Sequence, residues 1–130
     1  MGLARMIMLA VAAASMISMA SAIAGTATYY SPIVPSSCYG FEDRGTMVAA
    51  ANPALFNNRA ACGQRYTVRC TGPTNQGVPQ PCRNGPITVT IVDLCPGCAA
   101  DQIDLSEQAF NAIADPNAGR ILIDYNPSDH

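Results

Sequence analysis

The sequence predicts an all-β fold: a small closed barrel of five or six strands with one short helix, stapled by disulfides. Three observations predict it. Segments rich in Thr, Val, Ile and Tyr alternate with connections dense in Pro and Gly. Six cysteines, an even number, all follow an N-terminal leader, which reads as a disulfide framework in an oxidising compartment. Only one stretch spaces its apolar residues as a helix does. A closed barrel leaves no sheet edge open, which suits a chain of many short strands.

The 130 residues leave room for one domain, and the first of them read as a leader rather than as part of it. Arg5 supplies a positive start, and Met6 to Met19 is apolar or small except for Ser15 and Ser18. Ala20-Ser21-Ala22 and Ala22-Ile23-Ala24 both have the small-x-small pattern that a signal peptidase reads. The expectation is a signal peptide over 1–24, cut after Ala24, and a barrel domain over 25–130. The alternative is a retained membrane anchor, but the stretch is rich in Ala and Ser and poor in Leu. No later stretch is apolar enough to cross a bilayer.

The elements follow in order. Gly25 to Tyr30 (GTATYY) reads as the opening strand, and Ser31 to Asp43, with two Pro, three Ser and Cys38, as a loop. Thr46 to Ala51 is a second strand, ended by Asn52-Pro53, and Ala54 to Asn58 forms a single helical turn. Arg65 to Cys70 alternates polar and apolar as a half-buried strand does. Thr71 to Pro86, with four Pro and three Gly, is a loop pinched by Cys70 and Cys82. Ile87 to Leu94 (ITVTIVDL) is a nearly unbroken β-branched run, hence a central buried strand. Cys95 to Ala100 is a turn. Leu105, Ala109, Phe110 and Ile113 recur at helical spacing, so the helix is expected over Leu105 to Ala114, ended by Asp115-Pro116-Asn117. Arg120 to Tyr125 is the last strand.

Charge narrows the partners. Without the leader, six Arg face nine acids, a net charge of -3; there is no Lys and no run of Arg. That composition argues against nucleic acid, polyanions and anionic membrane surfaces. The six cysteines, Cys38, Cys62, Cys70, Cys82, Cys95 and Cys98, allow 15 connectivities, and spacing alone does not choose among them. Each bridge is expected to stabilise the fold by about 2–4 kcal/mol.

Few residues suggest chemistry. Asp104 precedes the expected helix and has two readings. One is a general acid in glycan cleavage. The other is an N-cap, since Asp104 and Glu107 stand three apart as in a capping box. Ordinary glycoside hydrolysis needs a second carboxylate about 5–9.5 Å away. Glu42, Asp43, Asp93 and Asp101 are the candidates, and the sequence singles out none. Asp93, at the end of the central strand, either lines a groove or accepts N–H groups from the following turn. Cys95-Pro96-Gly97-Cys98 has redox spacing, and also that of half a zinc site. The only His is His130 at the terminus, so no metal site, cofactor or His-based nucleophile is expected; a structural disulfide is. Tyr29, Tyr30 and Tyr39 form a stacking platform for a sugar or a partner, or else part of the core.

The segments GTATYY, Cys38-Tyr39-Gly40, GTMVAAANPALFNN, ACGQRYTVRC, ITVTIVDLCPGC and DQIDLSEQAFNAIA follow one another in an order that resembles the expansin-like domain of plants. More closely, the set resembles the short single-domain plant natriuretic peptides and related blight-associated proteins, over essentially Gly25 to Pro127. The resemblance implies a six-stranded double-psi β-barrel and sequential pairing, Cys38–Cys62, Cys70–Cys82 and Cys95–Cys98. It implies a mobile, secreted protein of the plant apoplast with a role in water and solute homeostasis and in stress and defence, lacking wall-loosening activity. The stretch from Cys38 to about Pro73 is similar to the segment associated with hormone-like activity. There are departures. Expansins have His-Phe-Asp where this chain has Gln102-Ile103-Asp104, and a second, carbohydrate-binding domain. Family-45 endoglucanases place another Asp soon after the opening strand, where this chain has Ser31-Pro32. Related bacterial barrels cleave peptidoglycan with one acid.

Three functions are therefore weighed. The first is a non-enzymatic monomeric module meeting a cell-surface receptor or wall glycan through a groove of Tyr29, Tyr30, Asp93 and Asp104, or through the Cys38–Cys62 loop. The second is a weak glycan-active enzyme, lytic-transglycosylase-like, using Asp104. The third is defence-related binding of a pathogen protein.

Overall fold

The computed structural model describes residues 22–128. The leader residues Arg5 and Met6 to Met19, together with His130, lie outside the described residues. Six strands form a closed barrel: β1 (Ile23–Tyr30), β2 (Val48–Ala51), β3 (Arg65–Pro73), β4 (Ile87–Leu94), β5 (Gln102–Ser106) and β6 (Ile121–Pro127). Around the barrel the order is β1-β5-β2-β4-β3-β6, returning to β1. The pairs β1–β5 and β2–β4 are parallel and the rest antiparallel. The architecture is the double-psi β-barrel, with the helix α2 (Glu107–Ile113), the single turn α1 (Pro53–Phe56) and a 3₁₀ turn at Pro116–Ala118 as its only helical elements among the described residues.

Side chains alternate along each strand, and the inward set makes the core. Ala27, Ala49, Ala51, Val68, Val89, Ile91, Ile103, Leu105, Ile121 and Ile123 converge inside, joined by Phe110 and Ile113 of α2. Alanines on β1 and β2 keep those walls thin. Tyr66 and Tyr125, on neighbouring strands, meet edge to face at 5.8 Å. Asn52 caps α1 by accepting the Leu55 N–H (2.9 Å), and its amide donates to the Gln102 carbonyl (2.9 Å), so the strand stop at Asn52-Pro53 also locks β5 in place. The disulfides are Cys38–Cys62, Cys70–Cys82 and Cys95–Cys98, with Cα–Cα distances of 5.6, 5.4 and 5.4 Å.

The central strand Ile87–Leu94 lies where its β-branched run places it. Other boundaries move. β1 starts at Ile23, with Ile23 paired to Tyr125 and Ala24 to Asp124. β2 is shorter than expected, and β3 continues to Pro73 beside β6. The main correction lies between residues 101 and 107. Gln102–Ser106 is a strand, not the approach to a helix, and α2 begins at Glu107 rather than Leu105. Ser106 is the N-cap: its hydroxyl accepts the Ala109 N–H (3.0 Å) and donates to the Thr46 carbonyl. Asp104 caps nothing, because two strands enclose it: β1 pairs Thr28 with it, and β2 pairs Ala50 with it.

Candidate functional site

Pairing across four adjacent strands sets four residues in one row. Thr28 on β1 lies beside Asp104 on β5, Asp104 beside Ala50 on β2, and Ala50 beside Asp93 on β4. The last step depends on a bulge. Ala49 pairs with Ile91, but Ala50 pairs with Asp93, so Val92 is extra. The bulge shifts the phase of β4 and turns Asp93 to the same outer face as Asp104. Two inter-strand steps separate the acids, about 9.5 Å at the backbone.

Asp104 is half-buried, and its position is fixed by a directed chain of hydrogen bonds. The Ala99 N–H donates to Gln102 Oε1 (2.9 Å), Gln102 Nε2 donates to Thr28 Oγ1 (3.1 Å), and Thr28 Oγ1 donates to Asp104 Oδ1 (2.9 Å). Because the Gln102 amide occupies the Thr28 oxygen as donor, the threonine proton is committed to Asp104. Ala99 follows the Cys95–Cys98 turn, so that disulfide anchors the far end of the chain. Burial pushes the Asp104 carboxyl above the usual aspartate value, and the Thr28 hydroxyl pulls it part of the way back.

Asp93 does not accept its bonds only from the turn that follows. Its Oδ1 takes the Ser37 N–H (2.9 Å), from the distant loop, as well as the Leu94 N–H (2.9 Å). It therefore ties the loop carrying Cys38 to the end of β4. The other acids lie apart from the row. Glu42 pairs with Arg44 (2.6 Å), Asp43 accepts the Gly45 N–H (2.7 Å), and Asp101 sits in a left-handed turn at φ 62°.

The three tyrosines do not form one platform. Strand alternation sends Tyr29 and Tyr30 to opposite faces. Tyr29 packs its ring on Phe110 at 4.7 Å, and its hydroxyl donates to the Pro116 carbonyl (3.1 Å), bracing α2. Tyr39, in the Cys38 loop, lies under the Arg44 guanidinium at 3.8 Å. Tyr30 alone shares the face of Thr28 and Asp104. Its hydroxyl is buried with no hydrogen-bond partner among the described residues. Burial, and then the nearby Asp93 and Asp104 carboxylates, push its pKa far above the usual tyrosine value. Tyr30 is thus a neutral donor within electrostatic reach of both acids and without an acceptor. Thr28 and Gln102 escaped sequence reasoning. The alternation of Gln102, Asp104 and Ser106 was their only signal.

A protein-family model described as lytic transglycolase matches residues 48–125. The chain is 55% identical over 111 residues to an EG45-like domain containing protein of Citrus jambhiri, covering 84% of each. It is 43% identical to expansin-B4 of Arabidopsis thaliana over 90 residues, 61% of this chain but 32% of that one. Among solved structures it is similar to the expansin of Clavibacter michiganensis (TM-score 0.67, 31% identity, 83% of this chain), of which it spans half the length. A mutant of that expansin, solved in complex with cellohexaose, matches equally well.

Proposed function

The chain belongs to the EG45-like, expansin-related family of double-psi β-barrels, and on that premise we propose that it is a secreted, wall-associated module that binds a β-linked glycan without hydrolysing it. The observation that carries the reading is the row Thr28–Asp104–Ala50–Asp93 with the unpartnered Tyr30 hydroxyl beside it. A hydroxyl-rich ligand laid over the row offers its hydroxyls to the half-buried Asp104 carboxyl, while the Tyr30 hydroxyl stays beneath it. The Clavibacter expansin complex with cellohexaose supports a β-glucan as first choice.

Hydrolysis fits this row poorly. A retaining or inverting pair must hold the scissile bond between its carboxylates. Here Ala50, between the acids, is 3% exposed, and the Tyr30 hydroxyl is buried. Asp93 is engaged by two backbone N–H groups and acts as a strut. The glycan lies over the acids rather than between them. The second reading is single-acid lytic cleavage, favoured by the elevated pKa of Asp104 and by the description of the matching family. A role in water and solute balance rests on the resemblance of Cys38 to Pro73 to natriuretic peptides. The division proposed is a leader over residues 1–24 followed by the barrel domain over 25–130.

Titration of the labelled, oxidised protein with cellohexaose tests the reading. Shifts centred on Thr28, Tyr30, Ala50 and Asp104, weakened about tenfold or more by Asp104→Asn, are expected, with the hexamer intact afterwards. Shorter products from cellohexaose or peptidoglycan, abolished by Asp104→Asn, would establish cleavage instead.

A further inference from the structure

The chain has no run of basic residues, yet the fold makes a basic pair. Arg69 and Arg83 are fourteen apart in sequence but flank the two halves of the Cys70–Cys82 disulfide, whose Cα atoms are 5.4 Å apart. Both line a cleft of about 380 Å³ with Cys70, Asn84, Gly85 and Pro86. The cleft opens beside β3, a strand that takes no part in the Asp104 row.

The cleft is held in place. Cys82 bridges to Ala114, the Arg83 N–H donates to the Ile113 carbonyl (2.7 Å), and the Asp115 N–H donates to the Pro81 carbonyl (2.8 Å). At Gly85 the backbone adopts φ 142°, and a β-carbon would stand 3.1 Å from Ile113, so glycine keeps that wall low. The guanidinium groups are not consumed by internal partners. Arg83 meets Asp115 only at 4.0 Å, with its side chain half exposed. Arg69 faces Asp124 across the β3–β6 pairing but has no ion pair among the described residues.

We propose that this cleft is a second ligand site, for the carboxylate of a hexuronate unit in an acidic glycan. Two planar guanidinium forks suit a carboxylate held by paired hydrogen bonds. The Asn84 amide is placed for sugar hydroxyls, and Pro86 and the disulfide offer apolar walls to a ring. The volume fits a small ligand site. The net negative charge of the chain repels polyanions at long range, so the site reads one or two carboxylates locally rather than a nucleic acid. The proposal is independent of the Asp104 reading.

Calorimetry of the oxidised protein at low ionic strength tests it with trigalacturonate, cellohexaose and sodium sulfate. Trigalacturonate is expected to bind, to weaken with added salt, and to lose about tenfold or more of its affinity in the Arg69→Gln/Arg83→Gln variant. Arg65→Gln, on the same strand outside the cleft, is expected to change nothing. Unaltered melting and the absence of free thiols confirm that the variants are folded. In the unmutated protein, the side-chain N–H signals of Arg69 and Arg83 should shift on binding. No binding of trigalacturonate at about 10 mM, equal binding by the double variant, or competition by sulfate at equal concentration each overturns the assignment.

Discussion

The acid row and the arginine cleft are assembled in opposite ways. Thr28, Asp104, Ala50 and Asp93 come from four strands and are aligned by backbone hydrogen bonds and one bulge. Arg69 and Arg83 come from a strand and a loop, and are brought together by one disulfide and by the backbone bonds that seat the loop on the end of α2. Sheet register is shared by the whole barrel, so the row fails only when the barrel does. A disulfide is local, so the cleft can be lost while the barrel stands.

The sharpest break of the row is Gly25→Ala. An added β-carbon would lie 1.9 Å from the Asp101 carbonyl oxygen, a backbone atom that cannot yield without moving β1 from β5. The expected cost is about 3 kcal/mol or more, read as a lower denaturation midpoint, with cellohexaose binding lost. Next comes the pair Cys70→Ser/Cys82→Ser. Opening a loop of this length costs about 2–3 kcal/mol. Trigalacturonate binding should vanish while cellohexaose shifts persist at temperatures where the barrel remains folded; loss of both together would show that the regions are not separable. Ser106→Ala is expected to cost about 1–2 kcal/mol, because both the Ala109 N–H and the Thr46 carbonyl lose their partner. Asp104→Ala should leave α2 intact, as chemical shifts of Glu107 to Ile113 would report.

The smallest effect is on the pH dependence. Burial raises the Asp104 pKa in the folded state above its unfolded value, so its contribution to stability is full below the ordinary aspartate value and is lost as pH rises through the elevated one. Asp104→Asn should remove that decline from a series of melting curves. Thr28→Val, which deletes the bond favouring the charged form, should carry it to higher pH.

The sequence made some of this legible and hid the rest for identifiable reasons. Ile87–Leu94 declared itself because a β-branched run has no good helical alternative. Phe110 and Ile113 disclosed α2 by their spacing, but the Asp104/Glu107 interval imitated a capping box and hid β5. The true cap, Ser106, stood two residues later with the same chemistry. The encounter of Asp93 with Asp104 was invisible, because β2 slides between their strands and a bulge sets the phase. Ala50 was its only trace: a small side chain between the two acids. Tyr29 and Tyr30 are adjacent in sequence and so looked like one platform, yet alternation parts them.

The order of strands also constrains how the molecule comes into being. β1 is nearly the first element to emerge from a ribosome or a translocation pore, yet both of its neighbours, β5 and β6, are among the last. A chain threaded N-terminus first therefore holds its opening strand unpaired until residues near Pro127 arrive, and the barrel closes after synthesis rather than during it. All three bonded pairs, Cys38–Cys62, Cys70–Cys82 and Cys95–Cys98, lie between β1 and β6 in the sequence, so each can close its own loop in that interval without waiting for the barrel.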